Sequence, residues 1–263
     1  MYNFEYQKAG SVADAAKAAT GEAKIVAGGM TLIPTLKLRL ASPSKLVDLG
    51  GIKDLVGIKV EGGTVTIGAM TTHAAVANSA DVKKAIPALA DLAEGIGDPA
   101  VRNRGTIGGS VANNDPAADY PAACVALGAT IVTNTRKIAA DDFFTGLFET
   151  ALKEGEIVTA ISFPAPEKAA YQKFRNPASR YALVGVFVAK TKAGVRVAVT
   201  GAGEGGVFRK KSFEAALDKS FAAAALDGIK VESKGLNSDI HASADYRAHI
   251  ISVMAKRAVA AAK

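Results

Sequence analysis

Apolar residues fall along this chain in short runs punctuated by glycine, proline and charge, and the period changes from run to run. Residues 11–19, Ser-Val-Ala-Asp-Ala-Ala-Lys-Ala-Ala, predict a short helix with Ser11 as N-cap and Gly21 just past its end. Residues 25–27 read as a strand, and behind them Leu32, Leu36 and Leu40 recur at helical spacing. Residues 45–49 predict a strand, and 55–60 with 64–70 a hairpin across Glu61-Gly62-Gly63. Thr71 and Thr72 can cap a helix running to Asn78, and 82–94 predicts another around the interruption at Pro87. Residues 95–99 break the chain. Pro116 suits the first turn of a helix to Leu127, and strands are expected at 129–134 and 156–163.

Around Pro164-Ala165-Pro166 two prolines favour extended backbone and mark a boundary, giving units 1–165 and 166–263. The second unit opens with a strand at 171–175 and a hairpin, 183–190 with 195–201, turning at Lys192-Ala193-Gly194. Helices follow at 212–218, 221–225 and about 242–262. Strands first and helices after argue an α+β fold rather than a doubly wound sheet.

With 263 residues, 49% of them hydrophobic, the chain can bury a sizeable core. No apolar run reaches the roughly 18 residues of a membrane span, and the N-terminus lacks a basic region followed by an apolar one, so neither a span nor a signal peptide is expected. A single cysteine, Cys124, excludes an internal disulfide and a four-thiolate iron-sulfur site on this chain; in its apolar run it reads as a small buried hydrophobe. The net charge of +7 is spread, with only short clusters such as Arg209-Lys210-Lys211, which suits an acidic partner or anionic cofactor and disfavours nucleic acid. The three histidines, His73, His241 and His249, lack metal-ligand spacing and read as surface or capping residues.

Candidate chemistry lies in two glycine pairs. Ile107-Gly108-Gly109-Ser110 follows Arg104-Gly105-Thr106, and Ala27-Gly28-Gly29-Met30-Thr31-Leu32 follows the strand at 25–27. Where no Cβ intervenes, backbone N–H groups can approach a bulky anion, and a run of them forms a donor surface suited to a diphosphate. Ser110 and Asn113 add side-chain donors; Asp115 or Asp119 can accept from sugar or ribityl hydroxyls. Two such cradles can grip one dinucleotide diphosphate. A third glycine cluster, residues 201–206, matches Gly-x-Gly-x-x-Gly but sits in a hairpin context with no helix directly after it, so a loop at a sheet edge is expected.

The pair Ala-Gly-Gly-x-Thr-Leu-Ile-Pro and Arg-Asn-Arg-Gly-Thr-Ile-Gly-Gly-Ser, with Asp-Pro-x-x-Asp behind the second, resembles the FAD-binding medium subunits of molybdenum hydroxylases, a group that includes the carbon monoxide dehydrogenase medium subunit and the flavin domain of xanthine dehydrogenase. The likeness runs on to the segment at 238–247. It implies an α+β architecture: a PCMH-type FAD-binding domain of two α/β subdomains, then a small C-terminal domain of antiparallel sheet and helices. FAD would be held by Ala27, Gly28, Gly29, Met30, Thr31 and Leu32, and by Thr106, Ile107, Gly108, Gly109, Ser110 and Asn113, with Asp119 on a sugar or ribityl hydroxyl and Asp115 also among the binding residues. The resemblance brings Lys173 and Tyr181 to the flavin ring, Lys173 as a positive charge or donor and Tyr181 near the ring face, and gives Ile157 a backbone or apolar contact. Arg180 stands where relatives often carry an acidic residue.

On the same resemblance, molybdopterin lies on a large partner subunit and [2Fe-2S] clusters on a small one, FAD passes electrons to an external acceptor, and the assembly is a dimer of heterotrimers, cytoplasmic or peripheral at the inner membrane. Two alternatives stand beside this reading: a self-contained FAD oxidase of the related fold, and a non-catalytic nucleotide-binding scaffold.

Overall fold

The computed structural model describes residues 1–263. The chain begins with β1 (Glu5–Lys8), α1 (Val12–Ala18), β2 (Lys24–Val26), α2 (Leu32–Lys37) and β3 (Lys45–Asp48), whose strands form a small parallel sheet in the order β1-β3-β2. Ser11 caps α1 through the Asp14 N–H, as its sequence signature requires. The predicted run of leucines is cut short: α2 ends at Lys37, Arg39 turns left-handed at φ 59°, and Leu40 lies outside the helix and exposed.

Next come β4 (Ile58–Glu61) and β5 (Thr64–Gly68), an antiparallel hairpin whose turn, Gly62-Gly63, has positive φ at both residues. Six helices follow: α3 (His73–Asn78), α4 (Ala80–Ala85), α5 (Pro87–Glu94), α6 (Pro99–Arg104), α7 (Ile107–Asn113) and α8 (Tyr120–Leu127). Pro87 divides the expected 82–94 helix in two, because proline takes N1 of α5 and cannot continue α4. Pro116 does not open a helix; it lies in a turn, and Pro121 occupies the first turn of α8. Neither α6 nor α7 was expected, since their glycine-rich flanks read as loop.

Then come β6 (Thr130–Thr133) and β7 (Lys137–Ala139), the single turn α9 (Ala140–Phe143), the separate two-stranded hairpin β8 (Phe144–Gly146) and β9 (Glu149–Thr150), and β10 (Val158–Pro164); β6, β7 and β10 complete a five-stranded sheet ordered β4-β5-β10-β6-β7. Beyond Pro166, β11 (Lys168–Arg175), β12 (Ala182–Thr191), β13 (Gly194–Thr200) and β14 (Phe208–Arg209) form an antiparallel sheet in chain order, followed by α10 (Lys211–Lys219) and α11 (Ala244–Ala261). Residues 221–225 yield only a 3-10 turn, Ala223–Leu226. The glycines at 201–206 connect β13 to β14.

Every residue of α8 is buried, Cys124 included, because the helix is apolar all round and packs against β12 and β13 on one side and α5, α7 and β10 on the other. Its burial joins the five-stranded sheet to the C-terminal one: the largest apolar cluster runs from Val65 and Ile67 through Tyr120 and Phe163 to Phe187 and Ala198. The opposite face of the C-terminal sheet packs on α10 and α11, which explains why β12 reads as a nearly unbroken apolar run; both its faces are covered. No helix is long and apolar enough to cross a membrane.

Candidate cofactor-binding site

Between the small parallel sheet, the five-stranded sheet and the C-terminal sheet lies a cavity of about 500 Å³, within the usual range for ligand sites. Both glycine loops line it. The first spans the gap between β2 and α2, and the N–H groups of Ala27, Gly28, Gly29, Met30, Thr31 and Leu32 donate to no protein acceptor. Gly29 bends the chain at φ 74°. Six consecutive backbone donors left open along a cavity wall make a surface suited to a bulky anion.

The loops also touch each other. A Cβ on Gly28 would overlap the Arg104 carbonyl and stand 2.8 Å from the Gly105 Cα, while a Cβ on Gly109 would lie 2.9 Å from Thr106 Oγ1 and 3.5 Å from the Ala27 Cβ. Glycine at 28 is therefore a requirement of loop-to-loop packing as much as of ligand approach.

The second loop departs from expectation. It is the start of α7, and its N–H groups are consumed by the fold: Ile107 donates to Thr71 O, Gly108 to Ala69 O, Gly109 to Thr106 Oγ1 at 3.1 Å and Ser110 to Thr106 O. Gly108 is small because a Cβ would collide with Ala69 of the adjoining segment. Ile107 is fully buried in the main core and does not line the cavity, whereas Thr106, Gly108, Gly109, Ser110 and Asn113 do. The second loop thus offers the cavity side chains and a close backbone surface, and the first offers the amide donors.

Asp115, Asp119, Ile157, Lys173 and Tyr181 line the same cavity. Asp119 is buried at the start of α8 and accepts from Lys173 Nζ at 2.8 Å and from the Tyr171 hydroxyl. Burial pushes its carboxyl up, against the opposing pull of Lys173 and Tyr171. Lys173 and Tyr171, two apart on β11, point to one face; Gly185, opposite Lys173 on β12, leaves room for the Tyr171 hydroxyl. The Lys173 ammonium also reaches Gly95 O at 3.3 Å, so its charge is matched within the protein. Asp115 folds its carboxylate onto the Ala117 N–H at 2.8 Å, and burial raises its pKa. Tyr181 is half exposed, its phenol raised first by burial and then by the charges of Asp115 and Asp119. The backbone of Ile157 is spent on Asn134 at both N–H and C=O, which leaves its apolar side chain to face the cavity.

Sequence reasoning misplaced His73. It is not a surface residue: it is 5% exposed, lines the cavity, packs on the Tyr120 ring with centroids 5.4 Å apart, and has no partner at Nδ1. Burial first, and the nearby Arg102 second, lower its pKa to about 4. Glu156, at the cavity edge, was also missed; Arg136, the Lys153 N–H and the hydroxyls of Thr133 and Thr135 surround its carboxylate and hold it well below the usual range. Neither residue stands in a recognisable motif, and only the folded chain brings their partners together.

The open amides, the touching glycine loops and the long mixed cavity define a protein that binds a dinucleotide-type cofactor. Residues 2–166 match the model of the family described as the FAD binding domain in molybdopterin dehydrogenase. The carbon monoxide dehydrogenase medium chain of Hydrogenophaga pseudoflava is 36% identical over 98% of this chain and 96% of its own. The nicotine 6-hydroxylase medium subunit of Paenarthrobacter nicotinovorans is 36% identical, over 90% and 89%. Among solved structures, reconstituted CO dehydrogenase from Oligotropha carboxidovorans superposes with a TM-score of 0.91 at 34% identity, covering 98% of this chain and 97% of that one. The chain belongs to this family: it is an FAD-binding subunit of a molybdenum-dependent oxidoreductase, with the family's α+β fold.

Proposed function

We propose that this chain carries electrons through FAD between a partner's [2Fe-2S] clusters and an external acceptor, within a dimer of heterotrimers whose large subunit holds molybdopterin, in the cytoplasm or peripherally at the inner membrane. The observation that carries the cofactor's place is the run of open N–H groups at 27–32 set against the second glycine loop. These amides would hold the FAD diphosphate, with Thr106, Ser110 and Asn113 beside them; Asp115, rather than Asp119, whose carboxylate is taken by Lys173 and Tyr171, would meet a sugar or ribityl hydroxyl. Within the proposed units 1–165 and 166–263, the first supplies the diphosphate site, and the second brings Lys173 and Tyr181 to the ring.

Bound there, FAD supplies the ability to accept and release electrons singly or in pairs. The chain's own residues bind and orient it. Ile157 and Met70, which both line the cavity, would give apolar contact, and the buried Lys173–Asp119 pair fixes the wall between the two units without a free charge. The one cysteine, buried in α8, supports placing the clusters on another chain.

Native mass spectrometry of the purified complex, with metal analysis, tests this reading. Three kinds of chain, FAD, iron and molybdenum are expected. A chain that purifies alone and turns over substrate unaided would establish a self-contained oxidase instead, and a colourless chain indifferent to FAD would remove flavin function altogether.

A further inference from the structure

The hairpin β8–β9 closes on the two-residue turn Leu147-Phe148, with Gly146 paired to Glu149. Phe148 sits at φ 54°, the left-handed conformation that glycine would adopt there without steric cost. Its ring is 58% exposed, yet it lines the cofactor cavity.

One residue from another element holds this turn. Asn114, which ends α7 at φ 43°, donates its side-chain amide to Gly146 O and to Glu149 O, each at 2.8 Å, and its main-chain carbonyl accepts the Phe148 N–H at 3.2 Å. Asn114 is 2% exposed, and its Oδ1 makes no hydrogen bond. Both protons of a buried amide and one carbonyl are thus committed to the residues flanking a single half-exposed ring. A bulky aromatic persists in a left-handed turn only where its surroundings over-determine it, and such outliers point to function at the place where they occur.

The end of α7 also fixes which part of the cavity Phe148 covers. Asn113 and Asp115, on either side of Asn114, line the cavity, as Tyr181 does. Phe148, pinned to Asn114, therefore belongs to the cavity wall that carries Asn113 and Asp115.

We propose that Phe148 is an apolar cover over the planar ring of the bound FAD, and that Asn114 is the positioning residue that keeps it there. This rests on FAD occupying the cavity as described above. A phenyl ring offers a flat face for offset stacking on a flavin and excludes water from it, and a turn pinned at three points keeps that face in place.

The test uses the full-length chain in its native complex, with FAD release followed by fluorescence after dilution and ring accessibility by iodide quenching. Phe148→Ala should release FAD about 3- to 10-fold faster and admit iodide more readily, while Phe148→Leu, which keeps an apolar cover, should stay near wild type. Asn114→Gly keeps the left-handed helix end but removes both side-chain bonds, and should reproduce Phe148→Ala in both measurements. Unchanged release and quenching in Phe148→Ala would overturn the proposal, as would that variant's losing its partner chains while FAD behaves as in wild type, which would make the turn a subunit contact. Wild-type protein that never holds FAD would defeat the cavity assignment itself, and this proposal with it; a flavin-loaded wild type beside an unaltered Phe148→Ala defeats the cover alone.

Discussion

Lys173 and Asp119 meet at 2.8 Å with each side chain 5% exposed, joining β11 to the start of α8. A buried pair contributes little net stability when intact, but removal of one partner strands the other charge in low dielectric. Lys173→Met should lower the unfolding free energy by about 3–5 kcal/mol in urea titrations, and adding Asp119→Leu should restore much of it. If the single and double variants fall equally, the two groups are not coupled.

Gly109→Val should abolish FAD retention while leaving far-ultraviolet circular dichroism unchanged, because branched carbons would fill the space between Thr106 Oγ1 and Ala27. Gly28→Ala should weaken both FAD content and stability, since its Cβ overlaps backbone that cannot move aside. Flavin absorbance near about 450 nm per mole of folded protein is the readout; full occupancy in Gly109→Val would contradict the diphosphate site.

His73 makes stability depend on pH. Its folded pKa is about 4 against an ordinary 6.5, so between these values the unfolded chain binds the extra proton and the folded chain does not. Its contribution is complete above pH 6.5 and falls as pH drops toward 4, by about 3 kcal/mol at most. Urea midpoints measured across that window should decline in wild type and flatten in His73→Leu.

Glu156 acts in a lower window. Arg136, foremost among its partners, depresses its pKa, so the stability it supplies is present above the ordinary carboxylate range and disappears as pH falls below it. Glu156→Gln should lose about 1–3 kcal/mol at neutral pH and show a shallower acid transition below about pH 4. An acid-unfolding curve parallel to wild type would show that the cluster does not stabilise the carboxylate.

Local signals carried much of this fold. The cap at Ser11, the Gly62-Gly63 turn and the long C-terminal helix all rest on interactions within a few residues, and they stand where the sequence puts them. The glycine pairs were equally visible, because a missing side chain is a property of the residue itself. The start of α7 was hidden in the same glycines: Thr106 caps the helix through Gly109 and Ser110, while Thr71 and Ala69, from the neighbouring segment, take the N–H groups of Ile107 and Gly108.

Sequence alone therefore determined that two side-chain-poor bends exist, that the chain mixes sheets with later helices, and that it resembles a flavin subunit; periodicity, capping and glycine content are short-range and survive without a fold. The tertiary structure decided which bend keeps its amides free, that Lys173 answers Asp119, that His73 is buried, and that Asn114 grips the turn bearing Phe148. Those outcomes depend on residues 32 to 54 positions apart, or on burial, and neither has any trace in local pattern. Charge pairing and desolvation act through space, so they come into being only when the chain has closed.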